Sequence, residues 1–118
     1  MRAIVLFGHG SRDPQWREPM EAVARRIQAR VAQVQVRCAF LELDSPDLPT
    51  AVADLVQAGA DAIRVVPMFL GAGRHAREDL PRLIEACRHA HPIVQFELAA
   101  AVGESPRVLD LIAALALE

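Results

Sequence analysis

This chain is short of several things, and each shortage removes a class of function. It has no run of the roughly 18–20 consecutive apolar residues that a membrane-spanning helix requires, and nothing near Met1 has the small-residue cleavage pattern of a signal peptide. It has no long basic stretch, and its formal net charge is -2, so nucleic acid is not an expected partner. Aromatic residues are scarce: one Trp, four Phe and no Tyr, which makes the expected core aliphatic. Only two cysteines are present, Cys38 and Cys87, and they form no C-x-x-C pair. The reading is a reduced, cytoplasmic protein whose thiols serve as small core residues. Nucleotide-binding loops are missing as well. No Walker loop occurs, and Gly71-Ala72-Gly73 does not extend to G-x-G-x-x-G, since Ala76 stands where the third glycine belongs. The run Gly8-His9-Gly10-Ser11-Arg12 is likewise no G-x-S-x-G nucleophile elbow, since Arg12 takes the place of the final glycine. There is no internal repeat, linker or low-complexity segment.

What is present is a chain of 118 residues that is 53% apolar, enough for one domain spanning 1–118. Strand and helix patterns alternate. Arg2–Phe7 is strand-like, with a continuous apolar run over Ala3–Phe7. Trp16, Met20, Val23, Ala24, Ile27 and Val31 then recur at helical spacing, which predicts one long helix over Pro14–Ala32. Val34–Leu43 reads as a second strand. A turn at Ser45-Pro46-Asp47 follows, then a short helix that stops at Gly59. Asp61–Pro67 is a β-branched third strand, suited to a parallel sheet covered on both faces. A helix over Arg77–His89, a strand over Ile93–Leu98 and a helix beginning at Ser105-Pro106 complete the pattern. The predicted fold class is α/β, a four-stranded parallel sheet with helices on both faces and right-handed crossovers.

In open sheets of this kind, binding and catalytic groups gather at the carboxyl ends of the strands. Those ends carry His9, between Gly8 and Gly10, and His75, in the loop Met68–Arg77 beside Gly71 and Gly73. Neutral imidazole ligates first-row divalent metals and acts as a base near neutral pH. Glu42 lies between Leu41 and Leu43 at the end of the second strand, where a carboxylate is costly unless it is paired or ligating. Asp44 belongs to the turn that starts the next helix. Arg12, Arg74 and Arg77 are positioned to surround an anionic ligand. Each has an ordinary alternative: a turn histidine, an exposed strand carboxylate, three surface charges.

Taken together, these residues resemble a known family. Gly8-His9-Gly10-Ser11-Arg12-Asp13-Pro14 is similar to the N-terminal signature of the small CbiX-type sirohydrochlorin and cobalt chelatases. Phe40-Leu41-Glu42 with Pro46 and Leu48 resembles their second-strand segment. Val66-Pro67-Met68-Phe69-Leu70, then Gly73, His75 and Asp79-Leu80-Pro81, resembles their third-strand signature. The resemblance implies a three-layer, flavodoxin-like chelatase unit in its short, single-unit form, which pairs as a homodimer. It implies insertion of Co²⁺, Fe²⁺ or Ni²⁺ into sirohydrochlorin without ATP, and no cofactor beyond the substrate metal. His9 and His75 then match the paired metal-binding and catalytic histidines, with Glu42 as a further ligand or base. Gly10, Ser11, Arg12, Arg74 and Arg77 become candidate contacts for the substrate carboxylates. Two other readings compete. One is a non-catalytic metal or tetrapyrrole carrier with the same fold. The other is a structural flavodoxin-like domain acting only as a dimer partner.

Overall fold

Four strands lie side by side in the order β2-β1-β3-β4, every neighbouring pair parallel. They are β1 (Arg2–Gly8), β2 (Gln35–Phe40), β3 (Ala62–Pro67) and β4 (Gln95–Leu98) in a computed structural model that describes residues 1–118. Parallel neighbours need long crossovers. Helices α1 (Glu18–Arg30), α2 (Leu48–Gln57) and α3 (Arg74–Ala90) supply them, and α4 (Pro106–Ala116) follows the last strand.

The period-two alternation of each strand sorts its side chains between two cores. Ala3, Val5 and Phe7 of β1 and Ile63 and Val65 of β3 pack with Leu48, Val52 and Leu55 of α2 and Leu80 and Ile84 of α3. Leu6 of β1 and Val36 and Phe40 of β2 turn the other way, toward Met20, Val23 and Ile27 of α1. The central strand is therefore buried on both faces, which explains its unbroken apolar run. The α/β three-layer arrangement is the predicted one.

Four local readings are corrected. The long first helix is two pieces, a 3-10 turn over Pro14–Arg17 and then α1 from Glu18. Asp13 caps the turn by accepting from the Gln15 N–H at 3.0 Å, and Pro19 falls in the first turn of α1, where its missing N–H costs nothing. Strand β2 stops at Phe40, because Leu41 to Ser45 leave the sheet and Leu43 adopts a left-handed φ of 64°. Helix α3 begins at Arg74, three residues before the predicted start, with extended Gly73 as its N-cap. His75 thus sits in a helical first turn, not in the loop. Strand β4 begins at Gln95, two residues late, after Val94 has closed a turn onto His91 at 3.1 Å.

Helix α4 differs from the other three. It begins at Pro106 as predicted, yet none of its residues is buried, and its main neighbour is the 3-10 turn Val102–Glu104. Leu109, Leu111, Ile112 and Leu115 are all exposed. No helix is long and apolar enough to cross a membrane.

Candidate functional site at the carboxyl edge of the sheet

Strands β1 and β2 end side by side, with Gly8 in register with Phe40. Their loops stay paired beyond the sheet: the Leu41 N–H donates to the Gly8 carbonyl at 2.9 Å, and the Glu42 N–H to the His9 carbonyl at 3.0 Å. Gly10 makes this possible. Its φ is +107°, and a Cβ there would collide with the Glu42 carbonyl group, so only glycine allows the two backbones to meet. Gly8 has a similar role one step earlier. A Cβ there would lie 2.6 Å from Met20 Sδ and 3.2 Å from the Trp16 ring.

The result is a pair. His9 Nε2 and Glu42 Oε1 are 3.0 Å apart, with 53% and 56% of their side chains exposed. The bond joins an imidazole nitrogen, which can donate a proton or offer a lone pair, to a carboxylate oxygen. A partner of this kind fixes ring orientation and raises ligand basicity.

The other predicted residues lie around this edge. His75 is exposed near the start of α3. No three His, Cys, Asp or Glu side chains stand close enough to hold a metal ion together, so the structure joins His9 to Glu42 and does not join His75 to them. Arg74 makes an i,i+4 pair with Glu78 at 3.0 Å, whereas Arg12 and Arg77 are exposed and free of ion pairs. Arg77 lines a cavity of about 180 Å³ with Phe69, Leu80, Leu98 and Glu104. Ser11 Oγ accepts from the Asp13 N–H at 3.1 Å and so shapes the turn. The N–H groups of Gly10 and Ser11 donate to no acceptor in the chain, leaving two backbone donors beside His9.

Sequence reasoning missed Arg17. Its guanidinium donates to Glu21 at 2.6 Å and to both Asp44 Oδ1 and the Ser45 carbonyl at 3.1 Å, and lies 4.7 Å over the Phe40 ring. It fastens the loop that carries Glu42 to the start of α1. No local signal marks it, because its partners are 27 and 28 residues away. The β3–α3 and β4–α4 loops are also joined. The Gly103 N–H donates to the Phe69 carbonyl at 2.9 Å, and Gly103 leaves no room for a Cβ against the Leu70 backbone. Of the two thiols, Cys87 is buried and Cys38 half-buried, both free, and burial raises both above the ordinary thiol range. Arg17 opposes that rise at Cys38.

Comparison with known proteins bears on this geometry. The CbiX family model matches residues 3–118. A sirohydrochlorin cobaltochelatase of Methanococcus maripaludis is 36% identical over 84 residues, a match covering 71% of this chain and 58% of that protein. The crystal structure of a CbiX protein of Marinobacter aquaeolei VT8, described as a cobalamin (vitamin B12) biosynthesis protein, superposes with a TM-score of 0.82. It is 35% identical, with 99% of this chain and 95% of that one covered. The sirohydrochlorin chelatase SirB of Bacillus subtilis subspecies spizizenii, solved in complex with cobalt, superposes with a TM-score of 0.81 at 28% identity. The match there covers 96% of this chain and 48% of SirB. The chain thus spans less than two thirds of the M. maripaludis relative and about half of SirB.

Proposed function

This chain belongs to the CbiX family, and from that premise we propose that it is a sirohydrochlorin chelatase, inserting a divalent metal ion into the macrocycle without ATP. The observation that carries the reading is the His9–Glu42 pair at 3.0 Å on the carboxyl edge of the sheet. That spacing suits two ligand atoms on one ion with bonds of about 2.1 Å. The ion, as substrate, takes the place of the shared proton, which moves to Nδ1 so that the neutral ring binds through Nε2, and it is held by His9 and Glu42, with His75, which stands apart from the pair, brought to it as the third donor. Three donors leave positions open, which the ion needs in order to be passed on.

The proton balance follows. Sirohydrochlorin loses two pyrrole protons as it gains M²⁺. Each lone pair that gives up the ion becomes free to take a proton, so His9, His75 and Glu42 exchange one dication for two protons and then release them to water. The unpaired guanidinium groups of Arg12 and Arg77, Arg74, and the free N–H groups of Gly10 and Ser11 meet the carboxylates on the rim of the macrocycle. Co²⁺, Fe²⁺ and Ni²⁺ all accept such nitrogen and oxygen donors. The free thiols support a reducing, cytoplasmic location.

We further propose that the working form is a homodimer, with the uncovered apolar face of α4 in the contact between copies. The test of function is anaerobic metallation of sirohydrochlorin by Co²⁺, Fe²⁺ and Ni²⁺, followed in the visible spectrum. The wild type accelerates insertion, and the His9→Ala/His75→Ala double variant loses about 100-fold or more. Macrocycle binding without faster insertion would replace this reading with that of a carrier.

A further inference from the structure

One residue beside the proposed metal site is placed at a cost. Leu43 directly follows Glu42, has a φ of 64° and is 51% exposed. Left-handed backbone is ordinary for glycine or asparagine and strained for leucine. An exposed leucine in a relaxed loop would need no explanation, but here the chain accepts backbone strain and an apolar side chain in water at the same position. Its surroundings hold that conformation in place. Arg17 fastens Asp44 and Ser45 on one side, and the Glu42 N–H is bonded to the His9 carbonyl on the other.

A second apolar group stands on the segment to which this loop is fastened. Trp16, next to Arg17, packs at 6.0 Å against the Phe40 ring and fills the space a Cβ on Gly8 would need, yet it stays 40% exposed. It is the one exposed aromatic of the chain, since Phe7 and Phe40 are buried and Phe69 and Phe96 half-buried. The segments that follow β1 and β2 therefore each carry one exposed apolar side chain, Trp16 against Phe40 and Leu43 directly after Glu42.

We propose that Leu43 and Trp16 are the apolar contacts for the flat ring face of the macrocycle, set beside the metal-holding pair so that the ring lies over it. This rests on the chelatase reading and deepens it. The polar groups described above meet the acidic rim, while these two side chains meet the ring itself, as expected of a site that is mostly apolar with a few placed polar groups. Strain at Leu43 is then the condition for aiming its side chain outward.

The experiment measures three quantities in wild type, Leu43→Asn, Trp16→Phe and Trp16→Ala: affinity for metal-free sirohydrochlorin by absorbance titration, affinity for Co²⁺ alone, and melting temperature. Leu43→Asn should bind the macrocycle about tenfold more weakly, leave Co²⁺ affinity unchanged, and keep or raise the melting temperature because the strain is relieved. Trp16→Phe should retain more macrocycle affinity than Trp16→Ala. Unchanged macrocycle affinity in Leu43→Asn would overturn the inference while leaving the chelatase reading intact. So would a change in oligomeric state alone, which would make Leu43 a contact between copies. A wild type that binds no sirohydrochlorin at any concentration tried would overturn both.

Discussion

The two ends of the sheet are finished to different degrees. At β1 and β2 the strands are covered on both faces, the loops beyond them remain hydrogen-bonded, and two glycines and Arg17 hold the backbone where His9 meets Glu42. At β4 the strand is four residues long, its outward residues Gln95 and Glu97 are exposed, and the helix that follows buries nothing. The first region needs nothing from outside to keep its shape. The second has apolar surface still to cover. The proposed chemistry falls in the part that is self-sufficient, and the proposed association in the part that is not.

The sharpest way to break this contrast is to truncate one apolar side chain in each region. Phe7→Ala should cost about 3–5 kcal/mol in urea unfolding, because it empties a fully buried position. Leu115→Ala should change the stability of the isolated monomer by no more than about 0.5 kcal/mol, yet Leu111→Glu/Leu115→Glu should convert a dimer to monomer in light scattering. A double glutamate variant that remains dimeric would remove α4 from the interface. The glycines give a smaller and more local comparison. Gly10→Ala should cost about 2–3 kcal/mol, through both the left-handed backbone and the collision with Glu42, and should abolish metallation. Gly71→Ala, which meets nothing within 4 Å, should leave both thermal melting and activity as they are.

The smallest expected effect lies at the start of α2. The Thr50 hydrogen bonds to Asp47 hold its carboxyl below the ordinary carboxylate range. A depressed folded-state value adds stability that is present above the unfolded value near 3.8 and lost as pH falls through the folded one. Asp47→Ala should therefore cost about 1 kcal/mol at pH 7 and progressively less in acid below that point. Asp47→Asn should keep the cap and show no such pH dependence. Paired melting curves at neutral and acid pH would check both.

Much of the finished half was legible in the sequence. Continuous apolar runs betray strands buried on both faces, so β1 and β3 stood out, and the glycine-flanked His9 followed directly from where β1 ends. Glu42 could be singled out as a carboxylate among apolar neighbours, but its bond to His9 joins residues 33 apart and emerges only once two loops pair. The sequence pattern places the start of α3 three residues late, because Gly73 caps it through backbone conformation, with no side-chain hydrogen bond to announce it. Leu43 gave no sign, since nothing in the sequence marks a left-handed leucine. The apolar stripe of α4 was plain, but the same stripe is written whether a helix covers its own sheet or another copy.

The shortness of β4 has one more consequence. An open parallel sheet ends in two edges whose free backbone groups can template a further strand, and a long flat edge invites growth into fibres or a merged sheet. Here β4 offers four residues, and one of them, Glu97, is tied back to Arg64 of β3. So brief and charged a border resists zipping against its own image. A border of this kind disfavours the merging of two copies into one eight-stranded sheet through β4, and the row of strand ends at the carboxyl edge stays open.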